Sequence, residues 1–86
     1  MPEVSYFLGI SIFMYFKEHN PSNFHARYNG LDGIFFISPL KYSKGELPPR
    51  IVGLVMEWAA IHKNELLDNW NCLKENKKCK KINPLV

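Results

Sequence analysis

The sequence predicts an α+β fold, a small antiparallel sheet of three to four strands packed against a C-terminal helix or helix pair. Apolar side chains alternate with period two through the first half of the chain, and they recur at three- and four-residue steps through the second half. Strands come first and helix last with no strand–helix–strand alternation, which points to an antiparallel rather than a parallel sheet. A chain of 86 residues has room for one core, and the expectation is a single α+β domain over residues 1–75 followed by a flexible basic tail over 76–86.

From Ile10 to Lys17 one face carries Ile10, Ile12, Met14 and Phe16 and the other Ser11, Phe13, Tyr15 and Lys17. Both faces are rather apolar, as in a central strand. Asn20-Pro21 then breaks the pattern, because the proline ring fixes its own φ and biases Asn20 away from helix. Alternation resumes with Phe24, Ala26 and Tyr28 toward the core and His25, Arg27 and Asn29 toward the opposite side. Asn29-Gly30 is a type I′ hairpin signal that would place Asp32 opposite Arg27, with Asp32-Gly33 as a competing turn.

Ile34-Phe35-Phe36-Ile37 reads as a buried strand ended by Ser38-Pro39, and Lys41 to Glu46 as a short edge strand with a turn at Lys44-Gly45. Pro48-Pro49 suits a first helical turn, where a missing N–H costs nothing. Ile51, Leu54, Val55, Trp58, His62, Leu66, Trp70 and Leu73 then mark one apolar helix face. A helix from Pro49 to Glu75 exceeds the usual length, so a break near Asn64 is expected, with Gly53 where the helix nears the sheet.

Lys and Arg number 11 against 8 Asp and Glu, and five of the lysines fall between positions 74 and 81, so the body is close to neutral and the tail basic. That distribution argues against a broad nucleic-acid footprint, although the tail could touch phosphate. Cys72 and Cys79 fit neither a metal nor a disulfide spacing and read as free thiols of a reducing cytoplasm. No basic leader precedes the first apolar run and no apolar run is long enough to span a bilayer, so neither export nor a membrane partner is expected.

The densest chemistry lies at His19-Asn20-Pro21-Ser22-Asn23-Phe24-His25-Ala26-Arg27-Tyr28. Two imidazoles with ordinary pKa near 6.5 could serve as general acid and base around a phosphodiester, and Arg27 could stabilise charge on phosphoryl oxygens. His19, His25 and Arg27 are therefore the candidate catalytic residues, and Asn20, Asn23, Tyr28 and His62 the candidate binding residues. His62 suits a hydrogen-bonded core role, and it would complete a three-histidine pocket only if the helix covered the sheet face bearing His25. Too few ligands converge for a metal, and no cofactor motif is present.

The opening Met1-Pro2-Glu3-Val4-Ser5, the segment from His19 to Tyr28, Gly45-Glu46-Leu47-Pro48-Pro49-Arg50 and Glu57-Trp58-Ala59-Ala60-Ile61-His62 together resemble the small bacterial proteins of domain-of-unknown-function family 4160. Members resemble one another in an HNP-x-HFHA motif, which His19 and His25 match here, while Asn23 stands at the position of its middle histidine. The resemblance implies a toxin-like component of a toxin–antitoxin-type two-gene module, neutralised by a small cognate partner protein. Two readings follow: a cytoplasmic protein acting on RNA or translation through the His/Arg cluster, or a non-enzymatic interaction module that binds a partner or a second copy of itself through exposed aromatics and an edge strand.

Overall fold

The structure is a computed structural model that describes residues 3–17 and 21–86. Five strands, β1 (Glu3–Phe7), β2 (Ile10–Phe13), β3 (Asn23–Tyr28), β4 (Leu31–Ile37) and β5 (Leu40–Gly45), are followed by helices α1 (Pro49–Ile61) and α2 (Lys63–Lys74). The strands form one antiparallel sheet in sequence order, β1 to β5. The α+β class and the antiparallel sheet are as the sequence predicts, but the sheet has five strands rather than three to four.

The additional strand is β1. It joins β2 through Leu8 and Gly9, both at positive φ (51° and 79°), as a type I′ turn requires. Leucine rarely adopts that conformation and gives no turn signature in a sequence. The β3–β4 turn is the one expected, with Asn29 and Gly30 at φ 50° and 77° and Arg27 paired with Asp32. Ser38-Pro39, a cis peptide, makes a tight turn into β5. The β4–β5 ladder shifts register between Ile34 and Phe35.

Both helices lie on one face of the sheet. Phe7, Ile12, Phe24, Ala26, Phe35 and Ile37 meet Ile51, Val55 and Trp58 of α1 and Leu66 and Trp70 of α2 in one buried cluster. Burying each large apolar side chain contributes about 1.5–3 kcal/mol. Trp58 is fully buried, its ring 5.5 Å from Phe7 and 5.8 Å from Phe24, and its indole N–H donates to the Asn83 carbonyl at 2.8 Å. Gly33 rather than Gly53 marks the close approach: a Cβ at Gly33 would lie 2.6 Å from Leu47 Cδ1 and 2.9 Å from Tyr42 Cε1, whereas one at Gly53 would meet nothing within 4 Å.

The helical half breaks at His62, two positions before the expected site at Asn64, and the His62 carbonyl still accepts the Leu66 N–H at 2.9 Å. Part of the segment over 76–86 is tied to the body of the fold. Asn69 exchanges two hydrogen bonds with the Lys80 backbone, each 2.9 Å, and the Ile82 N–H donates to the Val4 carbonyl at 2.8 Å. Ile82 is buried in the same core as α1 and β1. The apolar face of Ile82 and the carboxamide of Asn69 hold this segment down, while Lys77, Lys78, Lys80 and Lys81 stay exposed.

Candidate functional site

With α1 and α2 on one side, the described residues leave the opposite face of the sheet open, and strand alternation decides which side chains it shows. Across β2, β3, β4 and β5 the register runs Phe13, His25, Ile34, Lys44 in one row. Ser11, Arg27 and Asp32 form the row on one side of it, and Asn23, Phe36 and Lys41 the row on the other. This face therefore interleaves aromatic rings with cations.

Tyr15, just past β2, stacks on His25 with ring centroids 4.7 Å apart and planes 25° apart. Arg27 lies 6.0 Å from the centre of the Phe13 ring, and Lys41 5.9 Å from that of Phe36, both within cation–π reach. The Arg27 Nε–H donates to Asp32 Oδ1 at 2.8 Å. This exposed ion pair adds little stability, and its effect on Arg27 is to raise the guanidinium pKa further through the hydrogen bond and charge of Asp32.

His25 is half-buried in this setting. Desolvation lowers its pKa below the ordinary value and outweighs the opposing pull of Asp32, while Lys17 pushes it further down. The imidazole is thus held toward its neutral form, which can accept a proton or a hydrogen bond. Two hollows of about 330 Å³ open beside it.

The structure brings His25, Arg27 and Asn23 to this open face. The Asn23 amide donates to the Pro21 carbonyl at 2.8 Å, which fixes the start of β3. His19 and Asn20 lie outside the described residues. Tyr28 faces the other way, half-buried against the core cluster and beside Gly9, so it does not line this surface. His62 also lies on the helix side, its ring 5.5 Å from Trp58 and its Nδ1 2.6 Å from Glu65 Oε1. The sheet separates His62 from His25, and the three-histidine pocket does not form.

Phe13, Tyr15, Phe36 and Lys44 are site residues that sequence reasoning missed. Phe13 and Tyr15 were legible as one face of the Ile10–Lys17 alternation, whereas Phe36 and Lys44 needed the pairing of β4 with β5. Among the described residues, no group of three or more His, Cys, Asp or Glu is placed to hold a metal ion. Cys72 and Cys79 are free thiols, and burial, reinforced by Cys72, raises the Cys79 pKa. No helix among the described residues is long and apolar enough to cross a membrane.

Fold and face together define a class of protein, a helix-backed antiparallel sheet whose uncovered side presents aromatic rings among cations. Residues 9–71 match the family described as domain of unknown function (DUF4160), and the chain belongs to that family. Neither the curated proteins nor the solved structures contain a match to it.

Proposed function

We propose that this protein is a toxin-like component of a bacterial, cytoplasmic two-gene module, that it acts on RNA through the open sheet face, and that a small cognate protein restrains it by covering that face. The two-gene setting rests on the family resemblance. The RNA reading is carried by one observation: Phe13, Tyr15, His25 and Phe36 share a solvent-facing surface with Lys17, Arg27, Lys41 and Lys44. Aromatic rings offer stacking platforms to unpaired bases of any sequence, and the cations track the phosphates between them.

His25 supplies the proton chemistry in this reading. Its neutral imidazole can take the proton of a 2′-hydroxyl as that oxygen bonds to the adjacent phosphorus and the 5′-oxygen leaves, taking a proton from water, while the Arg27 fork and Lys44 balance charge on phosphoryl oxygens. Binding is tested by fluorescence anisotropy of a labelled mixed-sequence oligoribonucleotide. Three or four of these cations on phosphate give a slope of log affinity against log salt of about −2 to −3. No anisotropy change at low salt rejects the reading, and growth arrest on expression that persists unchanged in His25→Ala rejects the assigned site.

The second reading, a non-enzymatic interaction module, is favoured by the exposed side chains of Tyr6 and Leu8 at the β1 edge. RNA binding that is lost in Tyr15→Leu and kept in a Tyr6→Ser, Leu8→Ser variant decides against it.

A further inference from the structure

The two hollows on the open face are alike in size and share a wall. Each has a volume of about 330 Å³, at the small end of the range for ligand sites of about 300–1,000 Å³. Tyr15, His25, Ile34 and Lys44 border both. Lys17, Pro21, Asn23, Phe36 and Ser43 complete the first, and Phe13, Arg27 and Asp32 help to complete the second.

We infer that the two hollows receive two successive unpaired nucleotides of an RNA strand, one base in each, with the phosphate that links them over Lys44 and His25. This deepens the RNA reading above and rests on it, adding how many nucleotides are gripped and where the backbone passes. Each hollow has an aromatic ring of its own for a base to lie on, Phe36 in the first and Phe13 in the second, with Tyr15 on the wall they share. Each also has its own cation, Lys17 in the first and Arg27 in the second, with Lys44 on the wall between.

Cations in that order would serve one phosphate before, one between and one after the seated bases. Asp32 is the acidic residue of the second hollow, and it takes the Nε–H of Arg27 while leaving the rest of the guanidinium fork for phosphate. A duplex fits poorly, because its bases are stacked and paired and cannot enter separate recesses.

The test is titration of the ¹⁵N-labelled protein with mono-, di- and trinucleotides of adenosine and of uridine at low salt, followed by amide chemical shifts. The expected result is that the better dinucleotide binds about ten-fold tighter than its mononucleotide, as one more stacked base allows, and that the trinucleotide adds less than about three-fold. Tyr15→Leu should weaken the dinucleotide about ten-fold and Tyr15→Phe should restore it, with the amide spectrum away from β2 and β3 unchanged.

A dinucleotide that binds no tighter than its mononucleotide, or no worse to Tyr15→Leu, overturns the inference. If a long oligoribonucleotide still binds, the RNA reading survives without this grip. If neither short nor long RNA binds, the RNA reading itself fails, and a tight complex with an acidic protein instead would assign the face to a partner.

Discussion

Tyr15 lies almost flat on His25, with 4.7 Å between ring centroids and 25° between planes, although the two belong to neighbouring chain segments separated by a loop. The stack covers one side of the imidazole, and this is a direct source of the burial that favours its neutral form. One contact thus shapes the open face and adds to the desolvation of its histidine.

Stability should respond to pH through His25. Its folded pKa lies below the unfolded value of about 6.5, so the unfolded chain binds the proton first as pH falls. Stability is therefore full above the unfolded pKa and declines from there down to the folded pKa. Urea midpoints at pH 7.5 and 5.5 should differ more for the parent than for His25→Gln. An equal difference would refute the burial of the imidazole.

Asp32→Asn should leave stability within about 1 kcal/mol of the parent, since the pair with Arg27 is exposed. It should also strengthen RNA binding by removing an acid from the open face, and anisotropy titrations at fixed salt measure this. Weaker binding would show that Asp32 is needed to aim Arg27.

Gly33→Ala should destabilise the fold by about 1–3 kcal/mol, because the new methyl would press into Leu47 and Tyr42. Gly53→Ala should instead stabilise by about 0.5–1 kcal/mol, since the position is helical, exposed and open. Urea denaturation of both variants checks the opposite signs.

Asn69→Ala should cost about 1–3 kcal/mol by breaking both bonds to Lys80. Hydrogen exchange at the Lys80 and Ile82 amides should speed up well before the sheet amides do. Uniform exchange would mean that the C-terminal segment is not held separately.

Trp58→Ala should be the most damaging of these changes, about 3–5 kcal/mol, because the ring touches β1, β3 and the C-terminal segment together. Thermal unfolding followed by circular dichroism measures the loss.

Much of this architecture was legible where a local rule had only one solution. Asn29-Gly30 fixed the β3–β4 turn, and with it the pairing of Arg27 with Asp32 and the common face of His25 and Arg27. The α1–α2 face followed from apolar spacing, and the break at His62 fell within two residues of the expected position. Where two solutions existed, local rules were silent. β2 is apolar on both faces, so nothing nearby says which one the helices cover, and the aromatic surface of Phe13 and Tyr15 emerges only once that choice is made. β1 escaped because a leucine occupies a left-handed turn position. The anchoring of the C-terminal segment escaped because Asn69 and Ile82 find their partners across the fold.

The irregularity between Ile34 and Phe35 reaches further than the ladder itself. Lys41 and Lys44 are an odd number of residues apart, and in an unbroken strand they would project to opposite sides. The extra residue lets Lys41 stand beside Phe36 and Lys44 beside Ile34, both on the uncovered side. The positive character of this surface is accordingly a matter of parity: with Ser43 as the unpaired extra residue, three positions along the chain count as two along the ladder, and both ammonium groups reach the same side.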